Sequence, residues 1–257
     1  MMSKIIFFDI DGTLLDHDKK LPESTKLAIK NLQDKGTYVA IATGRAPFMF
    51  KSLREELGIN TFVSFNGQYV VFEDEVIYQN PLATNELERL LDFSEKNGHP
   101  LVFMNNQTMK ASVRHHEHIE TSLGSLSFPH PEEDKEFFKK HPVFQTLIFC
   151  DENQEKHYVG NYPGFKFVRW HPVSADILPA NGSKAVGIQK LINILGFNLA
   201  DVYAFGDGLN DMEMIKTVGT GVVMGNAPDV LKQNADYITA DVGEEGIWKG
   251  LKHLALI

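Results

Sequence analysis

Cysteine is almost absent from this chain, since its 257 residues include only one, Cys150. A single cysteine cannot form an internal disulfide, which favours a reducing compartment. We expect Cys150 to be a buried strand residue rather than a nucleophile. Apolar runs long enough to cross a bilayer are also missing, and the short N-terminal apolar run meets Asp9 and Asp11. We therefore expect no membrane span, no signal peptide and a cytoplasmic location.

Basic charge is the second shortage: 25 Lys and Arg residues stand against 34 Asp and Glu residues, for a net charge of −9. Phosphate backbones require basic surfaces, so nucleic acid is excluded as the default partner. A small phosphorylated molecule remains possible if a metal ion and a few local cations offset the charge. The composition, 43% hydrophobic and 23% charged, is typical of one large or two moderate globular domains. We expect a monomer or a weak homodimer.

Both ends of the chain alternate buried strands with helices. Continuous apolar runs predict the strands, and periodic apolar faces predict the helices. The predicted strands are Lys4–Ile10, Thr37–Ala42, Asp201–Phe205 and Gly221–Met224, and the predicted helices are Pro22–Lys35, the segment from Arg45 to Gly58, and Ser183–Leu195. This rhythm is typical of right-handed crossovers in a parallel sheet. Asn66-Gly67 predicts a type I′ hairpin between two further strands.

The middle of the chain has a different pattern, richer in proline and histidine. Helical segments alternate there with short strands, which is typical of an α+β domain. The segments are Thr84–Asn97 and Glu132–Lys140 for helices, and Leu101–Met104, Val143–Phe149 and Phe165–Trp170 for strands. We therefore predict an α/β protein with a three-layer, Rossmann-like parallel-sheet core from residues 1–81 and 180–257. Residues 82–179 are predicted to form an inserted α+β cap domain.

Polar residues follow three of the predicted core strands, where each strand ends. They are Asp9 with Asp11, then Thr43, then Asp207 with Asp211. Sites in open parallel sheets form at the carboxyl ends of strands, so we expect these side chains to meet. Two carboxylates one residue apart repel each other and any phosphate unless a divalent cation lies between them. Oxygen ligands favour Mg²⁺, and we expect Asp207 to complete the ligands that the protein supplies.

Two further groups suit a phosphoryl group. The hydroxyl of Thr43 and the ammonium of Lys184, which opens a predicted helix, can hold phosphoryl oxygens as negative charge shifts in the transition state. Gly12 and Gly44 lack side chains, so their backbone N–H groups can approach an anion closely. These residues together predict a magnesium-dependent site for phosphoryl chemistry.

Four segments resemble the motifs of the haloacid dehalogenase (HAD) superfamily. Asp9-Ile10-Asp11-Gly12-Thr13 is similar to the first motif, DxDGT, and Thr43-Gly44-Arg45 is similar to the second. Lys184 matches the third motif, although Ala185 follows it where the family often has Gly, and Gly206–Asp211 matches the fourth, GDxxND. Segments resembling Cof-type phosphatases are Phe65-Asn66-Gly67, Val222–Ala227 and Ala235–Thr239. An inserted domain between the second and third motifs matches the type-two cap of class IIB.

The resemblance implies a catalytic pair. Asp9 would attack phosphorus and form an aspartyl-phosphate. Asp11 would protonate the leaving oxygen and then take a proton from the water that hydrolyses the intermediate. The implied activity is hydrolysis of small phosphorylated metabolites: sugar phosphates, nucleotides or cofactor phosphates.

The resemblance also implies the surrounding contacts. Mg²⁺ would contact the Asp9 carboxylate, the Asp11 backbone carbonyl and Asp207. Asp211 would support the metal through water or orient Lys184. The remaining groups expected to bind phosphate or substrate are Gly12, Thr43, Gly44, Arg45, Lys184 and Asn210.

Two other functions fit parts of the pattern. A phosphomutase on the same core would also use an aspartyl-phosphate, but it would retain and reorient its intermediate. A signalling receiver domain also sets a phosphorylatable Asp beside acids, Thr and Lys. It lacks a second catalytic Asp two residues on, and it is about half this length.

Overall fold

The structure, a computed structural model, describes residues 4–257. The chain divides into two compact units. We call them the core unit, which contains the chain up to Arg45 together with Met49–Gln79 and Ser183–Ile257, and the inserted unit, which contains Ala46–Phe48 and Asn80–Gly182. Among residues 4–257, none of the helices combines the length and the apolar content that a bilayer crossing requires.

The first part of the core unit alternates strands and helices as predicted. Its elements are β1 (Ile5–Phe8), α1 (Glu23–Asp34), β2 (Tyr38–Ala42), α2 (Lys51–Leu57), β3 (Phe62–Ser64), β4 (Tyr69–Phe72) and β5 (Glu75–Gln79). Helix α1 follows Pro22, whose fixed φ suits a helix start, and it buries a stripe that includes Ala28 and Leu32. Helix α2 ends at Gly58, which adopts a left-handed φ of 62°.

The inserted unit is an antiparallel sheet with helices. Its elements are α3 (Thr84–Lys96), β6 (Leu101–Met104), β7 (Met109–Ala111), α4 (Glu117–Ser125), α5 (Phe137–Lys140), β8 (Gln145–Ile148), α6 (Glu152–Glu155), β9 (Phe165–His171) and β10 (Ser174–Pro179). The strand order is β7-β6-β8-β10-β9. An apolar core joins α3 and α5 to alternate strand residues such as Phe103, Ile148 and Ile177. Cys150 is fully buried, as expected, but it lies beyond the end of β8 and is not a strand residue; burial raises the pKa of its thiol to about 11.

The helix predicted for Glu132–Lys140 is confirmed only in its second half, where α5 (Phe137–Lys140) forms, and is wrong in its first half. The segment before it runs beside β7: the N–H of Ala111 donates to the Glu132 carbonyl, and the N–H of Asp134 donates to the Ala111 carbonyl. These hydrogen bonds satisfy backbone groups that a helix would otherwise pair. Strand β10 was not predicted, since it contains Asp176 and ends on Pro179, neither of which favours a strand.

The second part of the core unit returns to the strand and helix rhythm. Its elements are α7 (Lys184–Leu195), β11 (Val202–Gly206), α8 (Met212–Thr217), β12 (Thr220–Val223), α9 (Asp229–Lys232), β13 (Tyr237–Ile238) and α10 (Gly246–His253). Ser183 caps α7, because its side chain accepts the N–H of Val186, and Gly196 ends the helix with a φ of 72°.

The core sheet has the strand order β13-β12-β11-β1-β2-β3-β4-β5. Strands β13 to β3 are parallel, and β4 and β5 are antiparallel to their neighbours. Alternate residues of β1 point to opposite faces: Ile5 and Phe7 join an apolar cluster with α7 and α8. The opposite face of the sheet includes Phe205 of β11. Helix α10 lies close to this face, since a Cβ on Gly250 would lie 2.8 Å from the ring of Phe205. The predicted three-layer α/β fold with an inserted α+β domain is confirmed.

The hairpin after β3 forms, but its turn is not the predicted type I′ turn. Ser64 pairs with Tyr69, so the loop has four residues instead of two. Three of them in succession adopt positive φ angles: Phe65 at 51°, Asn66 at 50° and Gly67 at 97°. The Asn-Gly pair therefore correctly indicated left-handed backbone, but it could not show that Phe65 shares it.

Candidate active site

The carboxyl ends of three neighbouring strands, β11, β1 and β2, carry the predicted site. Asp9 directly follows β1, and its N–H donates to the carbonyl of Phe205 in β11 at 3.0 Å. Thr43 directly follows β2, and Asp207 directly follows β11. The sheet order alone therefore brings these three side chains to one edge, as expected for a parallel sheet.

Lys184 is fully buried at the start of α7. Its ammonium donates hydrogen bonds to Asp9 Oδ1 at 2.5 Å and to Asp211 Oδ1 at 2.6 Å. Burial alone would lower the pKa of Lys184, but the Asp211 and Asp9 carboxylates outweigh burial and raise that pKa. The lysine is therefore held as a cation between two carboxylates.

Three carboxylates converge beside this lysine. Oxygens of Asp9, Asp207 and Asp211 lie within 4.8 Å of one another. Burial, with the neighbouring carboxylates, raises the pKa of Asp9, and burial with Asp211 raises the pKa of Asp207 to about 6. One ammonium does not balance three carboxylates, so the cluster is suited to bind a cation.

Both carboxylate oxygens of Asp211 already accept hydrogen bonds from the protein. Its Oδ1 accepts the Lys184 ammonium, and its Oδ2 accepts the N–H groups of Asp207 at 3.0 Å and Gly208 at 2.9 Å. These bonds fix both the lysine and the loop that presents Asp207. Asn210, one residue earlier, is exposed in the same turn.

Asp11 lies beside two basic side chains. Arg45 donates to it twice, from Nε to Oδ2 at 2.9 Å and from Nη2 to Oδ1 at 2.6 Å, and the Lys19 ammonium donates to Oδ1 at 2.7 Å. Burial alone would raise the pKa of Asp11, but Arg45 and Lys19 outweigh burial and lower that pKa. The Asp11 carboxylate is thus held ionised here, and the sequence did not indicate Lys19 as its partner.

Two polar residues that the sequence analysis did not single out hold Asp207. The Thr13 hydroxyl donates to Asp207 Oδ1 at 2.8 Å. Asn226 Nδ2 donates to the Gly12 carbonyl at 2.9 Å and to Asp207 Oδ2 at 3.2 Å, while its Oδ1 accepts the N–H of Val242 at 3.0 Å. Both residues lie in segments that resemble family motifs, and this resemblance is the sequence signal that could have identified them as site residues.

The two glycines of the site leave room for neighbouring side chains. A Cβ on Gly12 (φ 80°) would lie 2.1 Å from Asp207 Oδ2, and one on Gly44 would lie 2.9 Å from Asn66 Nδ2. The N–H of Gly12 donates to the Leu15 carbonyl at 2.9 Å, so it is already paired. Thr43 is buried, and its Oγ1 accepts the N–H of Arg45 at 3.1 Å.

A Rossmann-like sheet with a lysine and a carboxylate cluster suited to a cation at its strand ends is typical of α/β proteins that carry out phosphoryl transfer. Residues 6–251 match the family model described as haloacid dehalogenase-like hydrolase, and the chain belongs to this family. The Bacillus subtilis (strain 168) protein YkrA is 52% identical over 257 residues, which cover 100% of both chains.

Two further relatives carry more specific names. The 5-amino-6-(5-phospho-D-ribitylamino)uracil phosphatase YcsE of Bacillus subtilis (strain 168) is 30% identical over 255 residues, which cover 98% of this chain and 96% of YcsE. The solved structure of BT4131, described as a HAD subclass IIB sugar phosphatase, has a TM-score of 0.84 and 32% identity, and the match covers 99% of this chain and 100% of BT4131. The predicted family, subclass and enzyme class are confirmed: the protein is a phosphatase of the HAD-like hydrolases.

Proposed function

We propose that this phosphatase is magnesium-dependent and hydrolyses small phosphorylated metabolites through an aspartyl-phosphate on Asp9. The observation that carries the proposal is that Asp9 accepts the Lys184 ammonium at 2.5 Å and belongs to the carboxylate cluster with Asp207 and Asp211. A carboxylate in that position can attack phosphorus while the Lys184 ammonium and a cation held by the cluster would offset the charge of the phosphate.

A divalent cation fits the residues present. The cluster offers only carboxylate oxygens, the donors that hard cations prefer, and its net charge is negative even with Lys184 included. Asp9, Asp207 and the backbone carbonyl of Asp11 would hold Mg²⁺, which would neutralise phosphoryl oxygens during transfer. Both oxygens of Asp211 already accept hydrogen bonds, so we assign Asp211 to orienting Lys184 and the Asp207 loop.

The chain's own residues supply the remaining steps. Lys184 favours the ionised form of Asp9 and orients its carboxylate, and the Thr43 hydroxyl, whose oxygen accepts the N–H of Arg45, can donate to a phosphoryl oxygen. Asp9 forms a bond to phosphorus as the leaving oxygen departs with a proton from Asp11. Asp11 then takes a proton from the water that releases phosphate from Asp9. To carry a proton, Asp11 must first separate from Arg45 and Lys19.

The range of substrates is inferred from relatives. YcsE is named for a phosphoribitylamino compound, and BT4131 is described as a sugar phosphatase. Both substrates are small phosphate monoesters with several hydroxyl groups. We therefore propose phosphorylated sugars, polyols or related cofactor precursors as substrates of this chain, with Arg45 and Asn210 as further substrate-binding residues.

Asp9→Asn tests the proposal because it keeps the size of the side chain and removes the nucleophile. We expect the loss of at least three orders of magnitude in kcat for an aryl phosphate, with the far-UV spectrum unchanged. Removal of Mg²⁺ with EDTA should abolish activity, and added Mg²⁺ should restore it. An Asp9→Asn enzyme with wild-type turnover would show that Asp9 is not the nucleophile. Release of free phosphate without an added bisphosphate distinguishes the phosphatase from a phosphomutase.

A further inference from the structure

Strand β10 of the inserted unit carries an aspartate between two residues of an apolar core. Ala175 and Ile177 belong to that core, so Asp176 lies on the opposite face of the sheet. It pairs with Leu147 in β8 and with Val168 in β9. An apolar side chain at this interior strand position would avoid the free-energy cost of removing a carboxylate from water. The sheet itself therefore gives no reason for an aspartate here.

Within residues 4–257, Asp176 has no charged partner. Burial raises the pKa of its carboxyl to about 7, and only the neutral side chains of Gln145 and Trp170 oppose this rise. Protein atoms surround the carboxyl group, yet part of Asp176 stays exposed, and so does part of Trp170. A small molecule in solution can therefore reach this group of side chains while the strands stay paired.

Two atoms beside Asp176 lack hydrogen-bond partners among the described residues. Oε1 of Gln145 is a buried acceptor, and Nε1 of Trp170 is a buried donor. The indole N–H lies near enough to Asp176 to lower the pKa of that carboxyl, but it makes no hydrogen bond of normal geometry. Buried polar atoms are nearly always paired, so both atoms call for a partner that the protein does not supply.

The position of Trp170 comes from an irregularity in β9. Ser174 of β10 pairs with His171. The next residue of β10, Ala175, pairs with Arg169, so Trp170 is the extra residue of a β-bulge. Bulges redirect side chains and are frequent next to functional sites. Ser174, across from this bulge, is fully buried, and its Oγ is also unpaired within the described part of the chain. The unpaired groups thus lie on the adjacent strands β8, β10 and β9.

We propose that the inserted unit binds a sugar or polyol on this face of its sheet, through the side chains of Asp176, Gln145 and Trp170. A hydroxyl group both donates and accepts hydrogen bonds. Adjacent hydroxyls can therefore donate to Asp176 and to Oε1 of Gln145 while one of them accepts the N–H of Trp170. An ammonium group would leave the indole donor unpaired, and an anion would be repelled by Asp176. The proposal would hold even if Asp9 were not the nucleophile.

Tryptophan fluorescence tests this site directly. The chain has two tryptophans, so Trp248→Phe leaves Trp170 as the single reporter. The full-length Trp248→Phe protein is titrated with ribitol, sorbitol and glucose, and we expect a saturable change in the emission of Trp170 with at least one of them. Inorganic phosphate, the anionic control, should leave the emission unchanged. No saturable change with any of the three, or an equal change with phosphate, would overturn the proposal.

Asp176→Asn, made in the Trp248→Phe protein, keeps the shape of the side chain and removes its charge. Loss of a hydrogen bond to a charged group predicts a rise of about tenfold or more in the dissociation constant of the same polyol. The thermal midpoint should equal or exceed that of the parent, because the carboxylate has no counter-charge to lose. Asp92→Asn, at an exposed aspartate of α3, is the matched control. A purely structural role of Asp176 predicts a lower midpoint and unchanged polyol binding, and that result would refute the assignment.

Discussion

Arg45 holds the carboxylate of Asp11 with two hydrogen bonds, Nε to Oδ2 at 2.9 Å and Nη2 to Oδ1 at 2.6 Å. The guanidinium thus contacts the residue proposed as the general acid, and it keeps the pKa of that residue low. A strong acid in this place protonates a leaving group readily but exists in its protonated form only rarely. Arg45 therefore influences the pH at which the enzyme works.

Replacing Arg45 with Gln should move the alkaline limb of the pH profile of kcat/KM upward, because a general acid must be protonated and activity falls above its pKa. Burial would then raise the pKa of Asp11, and only Lys19 would still oppose it. The measurement is kcat/KM from the acidic to the alkaline range for a sugar phosphate, whose alkoxide leaving group needs a proton. Lys51→Gln, which removes an exposed lysine that pairs with Glu55, is the control. An alkaline limb at the wild-type position would mean that Asp11 does not set it.

Replacing Lys184 with Met should destabilise the core unit by about 3–5 kcal/mol, because it leaves the buried carboxylates of Asp9 and Asp211 without a counter-charge. Denaturant unfolding in EDTA measures this change. Added Mg²⁺ should stabilise the variant more than the wild type, since it would supply some of the missing positive charge. Lys190→Met, on the exposed side of the same helix, should change stability by about 1 kcal/mol or less. Equal effects of the two substitutions would contradict the role given to the buried ion pairs.

Replacing Asn226 with Ala should weaken Mg²⁺ binding about 10- to 100-fold, because Asn226 orients the carboxylate of Asp207 and does not itself bind the cation. The concentration of Mg²⁺ that gives half-maximal activity should rise, while activity at saturating Mg²⁺ stays within a few-fold of the wild type. Asn234→Ala, which removes an exposed amide bonded to the Val230 carbonyl, should leave the titration unchanged. The prediction fails if Asn226→Ala and the wild type titrate alike.

Acidic pH should loosen the start of α4. His116 caps this helix by accepting the N–H of His118 on Nδ1, and its own N–H donates to Nε2 of His130. Burial, with the neighbouring His118, His115 and His130, lowers the pKa of His116 below its ordinary 6.5, whereas Glu117 opposes this. The unfolded segment therefore binds a proton more readily than the folded one. The stabilisation is complete above about pH 6.5 and is lost as the pH falls below that value.

His116→Asn checks this dependence, because asparagine caps a helix without titrating. The thermal midpoint of the variant relative to the wild type should rise as the pH is lowered from 7.5 to 5.5. His115→Asn, at the exposed neighbouring histidine, is the control. A difference in midpoint that is the same at both pH values would exclude His116 as the titrating group.

The sequence was sufficient for the parts of the site that follow from topology. Asp9, Thr43 and Asp207 end three strands, and once those strands are parallel neighbours their ends must adjoin. Lys184 could be preferred to Lys190 because it begins a helix behind a serine cap. These inferences need only strand order and element boundaries.

The rest depended on how particular side chains pair across the fold. Nothing local to Asn226 shows that its amide reaches Asp207, nor does anything local to Lys19 show that it reaches Asp11. The acidic run from Glu132 was predicted to begin a helix, but backbone hydrogen bonds to Ala111 decided its conformation. Contacts between segments that are distant in the sequence determine these pairings and conformations, and local sequence patterns do not show which segments will meet.

The position of β1 has a consequence for how the enzyme is made. This strand pairs with β2 on one edge and with β11 on the other. During synthesis β2 emerges soon after β1, whereas β11 emerges only after the whole inserted unit. Until then one edge of an apolar strand stays unpaired in the nascent chain, where it is open to aggregation or to chaperones. Asp9, the proposed nucleophile, is translated before the inserted unit, yet it gains its lysine and its partner carboxylates only after that unit has been made.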